Sequence, residues 1–473
     1  MTQTWEIENY LEVRNDQLYV DGVSAVELAR GHGTPLFVYS ERRIRRNIDR
    51  LKKSGDVIDC PLKLCYAAKA MSTMGILRAV QDADCDIEVN SGGELWKALE
   101  IGFRRDQIIF NGTSKEIWEL EMAINAEIYA IQVDSPVELA MIETAAKQLG
   151  KPANVSLRLV PEIESATHHG LQTALLTSKF GMMPDEAREC FRQYKDSPHL
   201  NLAGLHLHIG SQNPDPSAYT EAFEVLFSNL RAIYEETGIK LSHINLGGGF
   251  PVDYISGDET AEQFSENRRE MFEADFEPEN AISNAWTTVK RAAETVNALP
   301  LLDGITLLLE PGRSIIADAG VLLTCVRNIK KRPTAQPTAN RQLPTDAWIL
   351  TDAGFNLLLS MATYHWYYHL ISASRASAAH DFTYKVAGPL CDGGDVYFDV
   401  EAEGRLPDYR LLPENIQIGE VLALLNAGAY TLSQASQYNA RFLPAVVLIK
   451  NDGKAELIRR KDKFADLISS DIW

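Results

Sequence analysis

Leu62-Lys63-Leu64-Cys65-Tyr66-Ala67-Ala68-Lys69-Ala70 reads as a short, mostly apolar, buried strand that brings a lysine to its C-terminal end. An ammonium is costly to bury there, because desolvation disfavours the charged form. The expectation is that the Lys69 amine is used, for instance as the nitrogen of a Schiff base with an aldehyde cofactor. Taken alone, Lys69 would be an ordinary surface lysine at a strand end. The rest of the chain shifts the balance.

From about residue 41, helical stretches rich in Arg, Glu, Ala and Leu alternate with short strand-like segments. Eight such segments stand out, at 62–69, 86–91, 108–111, 129–134, 155–160, 202–210, 244–248 and 305–310, with helices expected at 72–82, 93–101, 136–148, 184–194 and 218–236. Eight β-then-α units suit a (β/α)8 barrel, although a doubly wound open sheet would alternate in the same way. Polar residues gather at the C-terminal strand ends: Lys69, Asn90, Asn111, Asp134, Arg158, His206, His208, the glycines 247–249 and Glu310 to Arg313. In a barrel that is the face where active sites are built.

The flanks have a different rhythm. Residues 1–40 contain short apolar pieces separated by Gly and Asp, and after 314 come Val, Leu and Ile segments with Gly and Pro turns. The expected division is a barrel over 41–314 and a mainly β domain made of 1–40 and 315–473. Residues 253–284, with Glu259, Glu262, Glu266, Glu270, Glu273 and Glu277, read as a solvated surface insertion.

The net charge of -19 over 473 residues argues against nucleic acid or an anionic membrane surface as a partner. Six cysteines without CxxC spacing indicate neither a zinc site nor a disulfide framework. The N-terminus has no basic and apolar leader pattern, and no run approaches the roughly 18 apolar residues of a membrane helix. A cytoplasmic protein is expected.

Four constellations carry chemistry. Ile244-Asn245-Leu246-Gly247-Gly248-Gly249-Phe250 runs a strand into three glycines whose N–H groups could converge on a phosphate, and a flexible turn is the plain alternative. Leu309-Glu310-Pro311-Gly312-Arg313 offers a carboxylate that could keep a pyridine nitrogen protonated, or could simply pair with Arg313. Gly204-Leu205-His206-Leu207-His208-Ile209-Gly210-Ser211-Gln212 puts two imidazoles on one side of a strand. Without a third ligand this suits ring stacking better than metal. Ala387-Gly388-Pro389-Leu390-Cys391-Asp392-Gly393-Gly394-Asp395 shows a thiol between carboxylates, suited to giving up a proton rather than to acting as a nucleophile. Asp392 and Asp395 could meet a substrate ammonium.

Tyr66-Ala67-Ala68-Lys69, His206-Leu207-His208-Ile209-Gly210-Ser211-Gln212, Gly247-Gly248-Gly249, Glu310-Pro311-Gly312-Arg313, Cys391-Asp392-Gly393-Gly394-Asp395 and Gly428-Ala429-Tyr430 resemble, in order, the signatures of the fold-type III decarboxylases that use pyridoxal phosphate. The resemblance runs from about 30 to 450. It implies an alanine-racemase-like barrel plus a C-terminal β domain, assembled as a homodimer with shared active sites. Lys69 is then the Schiff-base lysine, His208 the ring-stacking residue and Glu310 the pyridinium partner. Ser211, Gly248, Gly249, Gly312, Arg313 and Tyr430 would hold the cofactor. Cys391 from the other subunit would reprotonate the carbanion, with Asp392, Asp395, Arg313 and Tyr364 on the substrate side. No metal is implied.

The chain departs from the diaminopimelate-specific pattern. It reads Asp352-Ala353-Gly354-Phe355-Asn356-Leu357-Leu358-Leu359-Ser360-Met361-Ala362-Thr363-Tyr364, with Ser360 where those enzymes carry an arginine for the second carboxylate. Losing that guanidinium costs a charge-assisted contact. Asp392 and Gly393 replace the usual glutamate and serine, and the region around Ser374-Arg375 is similar to bacterial D-ornithine/D-lysine decarboxylases. The expected substrate is therefore a basic diamino acid with no second carboxylate. The alternatives are diaminopimelate, if Arg313 or Arg375 replaces the lost arginine, and a modified amino acid of a siderophore or antibiotic pathway. A racemase and a non-enzymatic regulator are weaker readings, because Lys69 and Cys391 are both present.

Overall fold

The computed structural model describes residues 3–160, 178–333 and 345–472. They form two compact units. The first comprises residues 45–251 and 274–315, and the second residues 1–44, 252–273 and 316–473.

In the first unit eight strands close into a barrel in chain order. They are β1 (Leu62–Ala67), β2 (Asp86–Val89), β3 (Ile108–Phe110), β4 (Ala130–Val133), β5 (Ala153–Arg158), β6 (Leu200–His206), β7 (His243–Asn245) and β8 (Thr306–Leu309). Parallel pairing of Leu307 with Leu62 and Leu309 with Leu64 joins the last strand to the first. That closure excludes the doubly wound alternative. β3 and β4 are buried along their whole length, as strands enclosed on both faces must be.

Local chemistry sets the turns that carry the polar strand ends. Ser91 caps the helix Gly92–Ile101 by accepting the N–H of Glu94, and Ser135 caps Pro136–Leu149 by accepting that of Glu138. Each such cap contributes about 1 kcal/mol. Gly102 and Gly150 end the same helices in the left-handed conformation. The helix Ile117–Ala126 completes the third unit and was not read from the pattern. Strand β6 stops at His206, short of the expected 210, because its neighbour β7 ends at Asn245 and offers no further partner.

The second unit is mainly β. Its sheet runs Arg410–Leu412, Phe382–Ala387, Thr345–Thr351, Gly320–Pro333, Leu36–Ser40, Ala445–Ile449 and Ala455–Arg459, with Val421–Leu424 and Leu370–Ser372 paired off the long strand. Leu36–Ser40 is central, antiparallel to Gly320–Pro333 and parallel to Ala445–Ile449. The N-terminal strands therefore belong to this β unit.

Residues 252–273 correct the reading of 253–284 as a solvated excursion. They belong to the β unit, where Tyr254 and Phe272 each meet Trp366 edge-on at 5.2 Å and Phe264 meets Tyr367 at 5.2 Å. The glutamates at 259, 262, 266 and 270 stay exposed while the aromatics between them are buried. The charge count hid an amphipathic segment. Residues 278–295 form a helix of the barrel unit. No helix among the described residues is long and apolar enough to cross a membrane.

Candidate active site

In the barrel unit, β1 ends in a tight turn, Ala68–Ala70, that carries Lys69. The N–H of Ala67 donates to the Pro311 carbonyl at 3.0 Å, which ties this turn to the segment after β8. Lys69 is exposed rather than buried, so the desolvation argument made from the sequence does not apply to it. Its charge acts on Glu88, His206, His208 and Glu310.

Glu310 is buried and held by amides. Asn245 Nδ2 donates to one oxygen at 2.7 Å and Asn111 Nδ2 to the other at 2.9 Å. His206 Nε2 lies 3.4 Å away. Burial alone would raise the Glu310 pKa, but His206, the Lys69 charge and the Asn245 amide hold it below the usual carboxylate range. Burial lowers the pKa of His206, so near neutral pH its ring is uncharged. Asn111 Nδ2 also donates to Glu88 Oε1 at 2.8 Å. Glu88 is fully buried, and desolvation followed by the Glu310 charge pushes its pKa up to about 7 against the lowering effect of Lys69.

The glycine run packs between the ends of β6 and β8. The Glu310 N–H donates to the Gly247 carbonyl at 2.7 Å, and a Cβ on Gly248 would come within 2.3 Å of the Glu310 carbonyl oxygen. Gly249, at φ +99°, would place a Cβ 2.3 Å from the Gly210 carbonyl oxygen. Only glycine fits either approach. His208 lies just past β6, where its Nδ1 accepts the Gly248 N–H at 3.2 Å. Burial, then Lys69, drives its pKa well below the ordinary value, so the ring is neutral. Arg313 is buried after Gly312, and its Nε donates to Ser211 Oγ at 3.1 Å.

The barrel unit thus brings together Lys69, His208, Ser211, Gly248, Gly249, Glu310 and Arg313. The sequence reading missed Glu88. An acidic residue between Ile87 and Val89 in a buried strand was the available signal.

In the β unit Cys391 is exposed, and its N–H donates to Asn439 Oδ1 at 2.7 Å. Asp392 is exposed and accepts the Gly394 N–H at 2.9 Å. Asp395 is different. It is buried, and its two oxygens accept the N–H groups of Phe355 and Leu390 at 2.8 and 2.7 Å. This corrects its reading as a contact for a substrate ammonium: it anchors the loop. Tyr430 is half-buried at φ +55°, and Tyr364 is half-buried after the helix Leu359–Thr363. Ser360 is buried, its hydroxyl donating to Gln434 Oε1 at 3.2 Å. Arg375 is paired with Glu420 at 3.0 Å. Among the described residues, His365, Asp399 and Glu401 are near enough to share a metal, but the Arg405 guanidinium already bridges Asp399 and Glu401.

A buried, ionised carboxylate beneath a backbone-lined glycine cradle suits a protonated pyridine ring that carries a phosphate. Residues 41–317 match the family model described as pyridoxal-dependent decarboxylase, pyridoxal binding domain. The chain belongs to the pyridoxal-dependent decarboxylases. Within the family, it is 33% identical to diaminopimelate decarboxylase of Methanocaldococcus jannaschii over 98% of this chain and 96% of that one. The Bacillus subtilis diaminopimelate decarboxylase is 31% identical over 97% and 96%. A crystal structure of the M. jannaschii enzyme superposes with a TM-score of 0.82 at 31% identity, covering 98% of each chain.

This decarboxylase is a carboxy-lyase that uses pyridoxal phosphate and acts on an amino acid. The same relatives overturn the expected preference for a basic diamino acid of the D-ornithine/D-lysine kind, since those matching nearly the whole decarboxylase chain are diaminopimelate decarboxylases. The expectation failed because it weighted a few substituted positions, Ser360, Asp392 and Gly393, and the likeness around Ser374-Arg375. A missing guanidinium removes one contact and does not fix which charged group elsewhere meets the substrate.

Proposed function

We propose that the chain decarboxylates diaminopimelate to L-lysine. The observation that carries this reading is the 33% identity to a diaminopimelate decarboxylase across 98% of the chain. A crystal structure of the M. jannaschii relative in complex with L-lysine, matched at a TM-score of 0.82, also supports it.

Pyridoxal phosphate, when bound, supplies an aldehyde that captures the substrate amine and a ring that accepts the electron pair left as carbon dioxide departs. Lys69 is the residue whose Nζ holds that aldehyde between turnovers. Glu310, ionised, keeps the proton on the ring nitrogen, and neutral His208 offers a flat face to the ring. Ser211, Gly248, Gly249, Gly312 and Tyr430 hold the phosphate. Cys391 Sγ delivers a proton to the α-carbon, and Asp392 receives the distal ammonium. With the Ser360 hydroxyl engaged by Gln434 and Arg375 by Glu420, Arg313 is our choice for the distal carboxylate.

The reading includes a homodimer in which each Cys391 serves the partner's cofactor. It also includes a cytoplasmic location, which six free cysteines support. The test is carbon dioxide release from meso-diaminopimelate beside D- and L-ornithine and D- and L-lysine. Diaminopimelate should react fastest. Turnover of ornithine or lysine with none of diaminopimelate would sink the proposal.

A further inference from the structure

The loop of residues 388–395 is tied at both ends. At its base Asp395 takes the N–H groups of Leu390 and Phe355, and its carbonyl accepts the Gly388 N–H at 2.9 Å. At its tip three residues of one short segment, Tyr438, Asn439 and Arg441, close on it. Tyr438 stacks on Phe355 with ring centroids 5.9 Å apart, and its hydroxyl donates to Asp392 Oδ2 at 3.5 Å. Asn439 Oδ1 accepts the Cys391 N–H at 2.7 Å, and the Arg441 guanidinium donates to the Pro389 carbonyl at 2.8 Å.

The backbone that presents these groups is strained. Asn439 and Ala440 lie at φ +54° and +53°, and neither is a glycine. Asparagine tolerates the left-handed region, whereas alanine pays for its Cβ there. Strain of this kind persists where the surrounding structure over-determines it, often next to reacting groups. On the other side of Cys391 the loop continues through Gly393 and Gly394, and a Cβ on Gly393 would meet nothing within 4 Å. Asp392, next in the chain, is tied by the Gly394 and Asp395 N–H groups, whereas the Cys391 N–H itself is held by Asn439. The hydrogen bond to Asn439 therefore helps to set the direction of the Cys391 Cα–Cβ bond.

We propose that Asn439 is a positioning residue that fixes the Cys391 backbone through its side-chain oxygen and so aims the thiol. This rests on Cys391 being the proton donor of the function proposed above. Asn439 does not itself touch substrate or cofactor in this assignment.

The holoenzyme and its variants Asn439→Ala, Asn439→Asp, Cys391→Ala and Cys391→Ala/Asn439→Ala test it, with Tm and visible cofactor absorption checking folding and loading. The alanine variant should lower kcat about ten- to a hundred-fold, with KM within about two-fold. It should also speed amide deuterium exchange in the peptide containing Cys391. Asn439→Asp keeps an acceptor oxygen and should recover most of kcat and the slow exchange. In the Cys391→Ala background, Asn439→Ala should cost nothing further. An equal cost in both backgrounds, or an aspartate variant as impaired as the alanine one, would overturn the proposal. Undiminished kcat in Cys391→Ala alone would refute the proton-donor assignment, and the proposal with it. The single variant makes that failure distinguishable from one confined to Asn439.

Discussion

Glu88 and Glu310 share a single amide donor: Asn111 Nδ2 lies 2.8 Å from one carboxylate and 2.9 Å from the other. Two buried carboxyls this close do not ionise independently. Glu310 keeps its charge because His206 and Asn245 serve it and not Glu88, and Glu88 is left to hold a proton.

A pH dependence of stability follows. Folding raises the Glu88 pKa from 4.5 to about 7, so between those values the folded state retains a proton that the unfolded chain gives up. This contribution is fully present at low pH and is lost as pH rises through that window. Glu88→Gln keeps the acceptor for Asn111 without the titration. Its unfolding free energy relative to the unsubstituted protein should therefore rise between about pH 5 and pH 8, by an amount on the order of 2–3 kcal/mol, and its relative Tm should climb with it. Thermal melts across that range check this, and parallel curves would refute the protonated Glu88.

Lys69 is the only residue assigned a covalent bond to the cofactor. Borohydride treatment of the purified, cofactor-loaded protein, then proteolysis, should place the cofactor mass on the peptide containing Lys69. The Lys69→Ala protein should be colourless and unlabelled. A label on another lysine would reassign the site.

Asp395→Ala would leave the N–H groups of Leu390 and Phe355 without acceptors. A destabilisation on the order of 2–4 kcal/mol is expected, read as a fall in denaturation midpoint. Were Asp395 a substrate contact instead, the change would appear in KM with the midpoint unmoved.

If the active sites are shared, mixing inactive Lys69→Ala and Cys391→Ala homodimers should restore activity. Random exchange gives hybrids with one intact site, so about a quarter of wild-type activity is the ceiling for an equal mixture. No recovery despite exchange shown by native mass spectrometry would place Lys69 and Cys391 of one site on the same subunit.

Much of the barrel was legible in the chain, and candidates for its site could be named from it, because the signals are local. Strands enclosed on both faces are short apolar runs, serines cap the helices that follow, and catalytic barrels collect polar residues at one strand end. The substrate was misread where a few positions, Ser360, Asp392 and Gly393 among them, were made to stand for a whole recognition surface. Residues 252–273 were misread because a count of glutamates does not show which side chains turn inward.

The sequence by itself determined the alternation that becomes a barrel. Only the tertiary structure decided which carboxylate is charged, which aspartate is an anchor, and which side chain accepts the Cys391 N–H. Those outcomes depend on partners far apart along the chain, such as Asn111 with Glu310 and Asn439 with Cys391. Burial and hydrogen bonding set protonation and orientation, and both exist only once distant segments have met.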